Sequence, residues 1–180
     1  MAFINLILGA SASGKTTIGN KIRTELNIVE LISHTTRSPR QGEENGVSYH
    51  FVTKSEFTTI EMVESDEYLG DYYGISLKEI QKVNQNLSNG NHVFAILNLN
   101  GVRKIKEIFG EKARIIYIEV DPNILKDRMI KRGDSIEQIE KRLKKILEDN
   151  ECFNHEYADI IINNDKDLDS AWEEVKLYFA

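Results

Sequence analysis

The run Gly9-Ala10-Ser11-Ala12-Ser13-Gly14-Lys15-Thr16, placed directly behind the apolar stretch Phe3 to Leu8, constrains this chain more than any other feature. A glycine-bounded loop that joins a buried strand to a helix start is a phosphate-binding P-loop. Gly9 and Gly14 permit a backbone path that turns several N–H groups inward, Lys15 brings a charge to β- and γ-phosphates, and Thr16 offers a hydroxyl to Mg²⁺. The expected ligand is a nucleoside triphosphate, met by residues Gly9 to Thr16 and by Thr17 behind them. A chance Gly-Lys-Thr turn at a helix start is the alternative, and both the full spacing and the strand before it argue against that. The motif does not name the reaction.

With 180 residues, 41% of them hydrophobic, the chain can bury the core of one α/β domain carrying inserted segments. Its formal charge of -6, with basic residues scattered or paired with acids, leaves no broad cationic face for a nucleic-acid backbone. Small anions must then be met by local arginine clusters. A single cysteine, Cys152, excludes an intrachain disulfide; it lies in the helix-like run Ile139 to Phe153, where a packed thiol is expected rather than a nucleophile. His34, His50, His92 and Cys152 lack ligand spacing, so no structural metal site is expected. The start Met1-Ala2-Phe3 has no charged leader region and no run approaches transmembrane length, which points to a cytoplasmic protein without membrane contact.

Short β-rich runs at Phe3 to Leu8, His92 to Leu97, Ala113 to Val120 and Ala158 to Ile162 lack polar alternation, as strands of a parallel sheet covered on both faces do. Helices are expected at Thr16 to Leu26, Val102 to Phe109, Asn123 to Lys131, Ile136 to Phe153 and Leu168 to Phe179, with Asp121-Pro122 starting the third. From Ser33 to about Asn91 the sequence turns polar and turn-rich. There, Asn45-Gly46 before the alternating Val47 to Val52 predicts a hairpin. Charge crowds Arg128 to Arg142 between two helices, consistent with a mobile closing segment.

The segment Ser33-His34-Thr35-Thr36-Arg37-Ser38-Pro39-Arg40-Gln41-Gly42-Glu43, followed by Asn45-Gly46-Val47-Ser48-Tyr49-His50-Phe51, resembles the GMP-binding segment of guanylate kinases. The likeness continues through Glu64, Gly70-Asp71-Tyr72-Tyr73-Gly74, Arg128, Arg132, Arg142 and Ile160-Ile161-Ile162-Asn163, so with the P-loop it covers nearly the whole chain. It implies an α/β fold with a P-loop NTPase-type parallel-sheet core from residues 1–32, 91–125 and 143–180, helices on both faces, an acceptor-binding insertion at 33–90 with a small β-sheet, and a short lid at 126–142. The implied reaction moves the γ-phosphoryl of ATP to the 5′-phosphate of GMP, with Mg²⁺ as cofactor and ATP and GMP as the small-molecule partners of a monomer or homodimer.

Residue chemistry suits those roles. Arg37 and Arg40, three apart around Pro39, can fork onto one phosphate; a salt-bridged turn with Glu43 and Glu44 is the alternative. By resemblance, Tyr49 and Tyr73 add phenolic donors to that phosphate, against the plain alternative of half-buried packing. A carboxylate at Glu64 can accept both N1–H and the N2 amino group of guanine, a pair adenine cannot present, and the resemblance adds Ser33 to the base contacts. The resemblance also makes Arg128, Arg132 and Arg142 lid or hinge residues on ATP and the transferred phosphoryl, and brings Asn163 near the adenine. Together with Lys15 and Arg37 those arginines would supply the catalytic charge, unless they form an ordinary charged helix face.

Three departures from the family stand out. Guanylate kinases usually read Asp-Ile-Asp-x-Gln-Gly where this chain has Ile96-Leu97-Asn98-Leu99-Asn100-Gly101, so Ile96 and Asn98 replace two aspartates; Asn98 stays in the acceptor set because it can still accept a hydrogen bond. Ile75 stands where a serine or threonine normally follows the Tyr-Tyr-Gly run, and the stretch Gly133 to Lys141 is shorter and less acidic than the usual lid. A kinase of another phosphorylated acceptor, such as a different nucleoside monophosphate or ribose 1,5-bisphosphate, remains a rival reading, as does a guanylate-kinase-like binding module. Such modules typically lose the P-loop, which is complete here.

Overall fold

The computed structural model describes residues 1–40 and 42–179; Gln41, within the acceptor-like motif, and the terminal Ala180 lie outside the described residues. In chain order the elements are β1 (Ile4–Leu8), α1 (Lys15–Glu25), β2 (Val29–Leu31), β3 (His34–Thr35), β4 (His50–Phe51), α2 (Lys54–Phe57), β5 (Met62–Tyr68), β6 (Asp71–Ser76), α3 (Leu77–Ser88), β7 (Val93–Ile96), α4 (Leu99–Phe109), β8 (Ala113–Glu119), α5 (Pro122–Arg132), α6 (Ile136–Glu148), β9 (Ile160–Asn163) and α7 (Leu168–Lys176).

Strand β1 is buried along its whole length because successive side chains enter two different cores. Ile4, Leu6 and Leu8 meet Ile80, Val83 and Leu87 of α3 and Val102 and Ile105 of α4. Ile7 enters the opposite core with Ile18 and Ile22 of α1 and Trp172 and Val175 of α7. The sheet runs β2-β7-β1-β8-β9, every pair parallel, so each connection crosses over through the covering layers. This is the α/β architecture expected from the uninterrupted apolar runs.

Helices α5 and α6 form a third cluster at the sheet's end through Leu125, Met129, Ile139 and Ile146. Asp121 caps α5, its carboxylate accepting from Asn123 N at 2.8 Å, with Pro122 in the first turn as expected. Gly133, at φ 87°, ends α5, and a reciprocal capping box between Ser135 and Gln138 starts α6. The helix expected over 136–153 stops at Glu148: Asn150 turns left-handed at φ 50° and the chain tightens into a 3₁₀ segment, Glu151–Tyr157. Cys152 therefore sits in that segment, packed against the third cluster with its thiol pushed up by burial.

The polar insertion forms a second sheet, ordered β4-β3-β6-β5. The hairpin expected at Asn45-Gly46 does not form. Gly46 does turn at φ 76°, but the Asn45 side chain accepts from Phe51 N at 2.9 Å, and β4 leaves to pair in parallel with β3. The true hairpin joins β5 to β6 through Leu69 and Gly70, both at positive φ. Leu69 gives no turn signal, because leucine rarely adopts that conformation. Helix α3 was also hidden by polar residues, although Ser76 caps it and Ile80, Val83 and Leu87 recur at helical spacing. No helix among the described residues is long and apolar enough to cross a membrane.

Candidate active site

Where β1 ends, the loop from Gly9 to Gly14 needs conformations that ordinary side chains resist. Gly9 sits at φ 153°, where an added Cβ would meet the Ile118 carbonyl oxygen at 2.6 Å. Gly14, at φ 99°, leads into α1, and a Cβ there would lie 2.5 Å from Asn164 Nδ2. Ala12 also adopts a positive φ of 68°. The Lys15 ammonium folds back onto its own loop, donating to the carbonyls of Gly9 at 2.6 Å and Ala10 at 2.8 Å. Burial lowers its pKa to about 8; the Glu151 carboxylate opposes that, and Arg132 and Arg142 reinforce it.

This loop borders a cleft of about 480 Å³ between the core, the small sheet and the α5–α6 pair. Gly9, Ser11, Ala12, Lys15 and Thr16 line it, together with Ser33, Arg37, Arg40, Tyr49, Glu64, Tyr73, Asn98, Arg132 and Arg142. Thus most of the residues singled out from sequence converge on one cavity. Six basic side chains share it, Lys145 being the sixth, and for Arg40 burial, followed by Arg37, Arg142 and Arg132, presses the pKa downward. Such crowding of like charge is favourable only with anions present.

In this structure the anions are internal. Arg37 makes a two-pronged contact with Glu43, at 2.9 and 3.0 Å, and Glu43 also accepts from Arg40 N at 2.7 Å. The salt-bridged turn and the convergent arginine pair are therefore both present. Tyr49 lies under the Arg37 guanidinium, 5.4 Å from its ring centre, and meets Tyr73 edge-on at 6.0 Å. Asp134 holds Arg132 through both its oxygens, which accept from Nε and Nη2, and lies 3.8 Å from Arg142, whose Nη1 reaches Ser11 Oγ at 3.2 Å.

At the base end, burial followed by the neighbouring Asp66 charge raises Glu64 to about 7. Ser33 lines the same cleft and is fixed there by its main chain, whose carbonyl accepts from His50 N at 2.9 Å. Ile75 is buried in the first core, and Ser76 is consumed in capping α3. Asn98 differs from the expectation that it serves a ligand: its oxygen caps α4 by accepting from Gly101 N at 2.8 Å, and its amide donates to Asp66 at 3.2 Å.

Several expected contacts lie elsewhere. Arg128 sits behind the loop, donating to the carbonyls of Ser13 at 3.4 Å and Asn164 at 2.5 Å, so it braces the loop from outside the cleft. Asn163 is exposed and donates to Asp165; its neighbour Asn164 is the residue that bonds the loop, through Ser13 O at 2.8 Å. Because side chains alternate along β9, adjacent asparagines face opposite ways. Ala10 and Ser13 are buried inside the loop, Gly14 caps α1, and Thr17 is exposed on α1 outside the cleft lining. Sequence reasoning missed Glu151, which accepts from Ser11 N at 3.0 Å and from the Tyr68 hydroxyl at 3.2 Å, linking the P-loop to strand β5.

Comparison with known proteins places this geometry in context. Residues 4–180 match the sequence model of the guanylate kinase family. The guanylate kinase of Campylobacter jejuni (strain RM1221) is 35% identical over 173 residues, covering 91% of this chain and 82% of that protein. That of Neisseria meningitidis serogroup A is 34% identical over 179 residues, 96% and 84% of the two chains. A crystal structure of guanylate kinase from Anaplasma phagocytophilum superposes with a TM-score of 0.74 at 25% identity, covering 99% of this chain and 84% of that one.

Proposed function

The chain belongs to the guanylate kinase family and catalyses ATP-dependent phosphorylation of GMP to GDP, and we propose that Lys15 and the P-loop amides hold the donor phosphates while Arg37, Arg40, Tyr49 and Tyr73 hold the acceptor phosphate. The observation that carries this assignment is the convergence of Lys15, Arg37, Arg40, Arg132 and Arg142 on one cleft whose far wall bears Glu64. We assign residues 33–90 to acceptor binding and 126–142 to the lid.

Chemistry at the site is positioning and charge compensation. The acceptor phosphate is already ionised, so no protein nucleophile is needed, and a loose transition state chiefly requires cations around the transferred group's equatorial oxygens. Lys15, Arg132 and Arg142 supply them from the donor and lid sides, Arg37 from the acceptor side. Arg128 contributes from behind by fixing Ser13 and Asn164. On nucleotide binding, Glu43 and Asp134 yield their arginines to phosphate oxygens. Closure of the lid keeps water from the γ-phosphate.

Mg²⁺ fits this donor set. No group of three or more His, Cys, Asp or Glu side chains among the described residues converges to hold a metal, and a Mg²⁺ that takes most of its shell from phosphates and water needs no such group. Thr16, exposed in the cleft beside Lys15, offers it a hydroxyl. When bound, the ion adds positive charge to the phosphate oxygens.

The test is ADP formation from Mg-ATP with GMP, dGMP, AMP, UMP, CMP and ribose 1,5-bisphosphate, run on wild type and Glu64→Gln. GMP is expected to be preferred over the other bases, and Glu64→Gln to weaken GMP selectively because its amide sets a donor opposite a guanine donor. Unchanged preference among bases in Glu64→Gln would sink the assignment of Glu64 to guanine.

A further inference from the structure

Guanine presents three N–H bonds on one edge, N1–H and the two of the exocyclic amine, whereas one carboxylate facing that edge takes only two of them. Glu64 therefore leaves one amine N–H to be met by another group, and an unmet donor in a closed cleft is costly.

The residue placed to meet it is Asp66. It stands two positions after Glu64 on β5, so the two side chains leave the strand on the same face, and both are half-buried and line the cleft; Ser65 and Glu67 between and after them are exposed, though Glu67 reaches the cleft lining as well. Its carboxylate is held rather than free. Oδ2 accepts from Asn98 Nδ2 at 3.2 Å and Asn100 Nδ2 at 2.8 Å, and Oδ1 accepts from Glu67 N at 2.8 Å. An ionised carboxylate has about four acceptor sites, so three are filled and one on Oδ1 remains. Asn98 cannot do this work, since its oxygen is spent on Gly101 N and its amide on Asp66 itself.

We propose that Asp66 is a second specificity residue of the base pocket, accepting from the 2-amino group of GMP, with Asn98 and Asn100 as positioning residues that fix its carboxylate beside Glu64. The proposal rests on the GMP reading above and extends it to one atom of the base. Burial with Asp66 alongside is also what raises Glu64, in keeping with two carboxylates that share one pocket.

Inosine monophosphate is the discriminating probe, because it keeps the 6-oxo group and N1–H of GMP and lacks only the amine. Asp66→Asn is expected to lower kcat/KM for GMP about tenfold and leave that for IMP within about twofold, as loss of one charged acceptor predicts. Equal losses for GMP and IMP, or none for either, would overturn the proposal and leave Asp66 as a tie between β5 and α4. Should Asp66→Asn fold poorly, judged by its thermal midpoint, Glu64→Ala answers the same question. A GMP preference over IMP that survives in Glu64→Ala supports Asp66, and its complete loss refutes it. Wild-type protein without ATP-dependent turnover of GMP would instead overturn the kinase reading, which separates the two failures.

Discussion

In the proposed assignment, the phosphate-facing groups on the P-loop side of the donor end are backbone N–H groups and one lysine drawn from eight consecutive residues, Gly9 to Thr16. At the acceptor end they are side chains from Ser33 to Glu64 and Tyr73, brought together by a four-stranded sheet. The donor end is thus a property of main-chain conformation, fixed by two glycines that no other residue replaces without clash. The acceptor end as proposed is modular: each side chain is assigned one part of the substrate, and each can be altered singly. Substrate choice is accordingly free to drift at one end while phosphate binding at the other stays fixed.

The sharpest way to break this contrast is at Lys15. Lys15→Ala should cut kcat by about a thousandfold with GMP and with any alternative acceptor alike, since it removes charge from the transferred group itself. A loss confined to one acceptor would contradict a common donor end. Next comes Arg37→Ala, expected to lower kcat/KM for GMP about a hundredfold while the KM for ATP moves little; Arg37→Lys should not restore it, because an ammonium lacks the planar fork. Steady-state kinetics in both substrates would show whether the two ends separate.

The pH profile should divide the ends again. Glu64 accepts guanine donors only when ionised, so with its pKa at about 7 the GMP affinity should rise about tenfold between pH 6 and 8. Lys15 must be charged, and its pKa of about 8 makes ATP affinity of the free enzyme fall above that pH. A bell in kcat/KM centred between these values is expected, with the acid limb removed in Glu64→Gln and the alkaline limb kept. The smallest effect is at Tyr68, whose hydroxyl holds Glu151 against Ser11 N. Tyr68→Phe should lower the KM for ATP by about threefold by freeing that amide, in line with the loss of one hydrogen bond. A higher KM would mean that Glu151 stays engaged in the complex.

Legibility in the sequence followed the same division. The P-loop was readable because its chemistry lies in eight neighbouring residues behind an apolar run. Arg37, Arg40, Tyr49 and Tyr73 acquired roles only through resemblance, since nothing local distinguishes them from a salt-bridged turn and two packing tyrosines. Glu151 and Asp66 could not be read at all: their partners lie 140 residues away at Ser11 and 32 and 34 away at Asn98 and Asn100. Asn163 is singled out near the adenine by resemblance alone, and the bond of its neighbour Asn164 to the loop could not be read, because the direction of the chain at the end of β9, not residue type, decides which asparagine reaches Ser13. The false hairpin at Asn45-Gly46 and the true one at Leu69-Gly70 show a local turn signal overruled by strand pairing.

Lys15 rests on the carbonyls of Gly9 and Ala10, while Glu43 holds Arg37, Asp134 holds Arg132 and Glu151 holds Ser11 N. Nucleotide entry is therefore an exchange of oxygens rather than the capture of a ligand by bare charge. Bonds that Lys15, Arg37, Arg132 and Ser11 N make to phosphate are each offset by one surrendered within the protein, which tempers the affinity that the cleft's positive charge would otherwise give. The same internal carboxylates and carbonyls are on hand to reclaim these groups as products leave, so release need not expose bare charge.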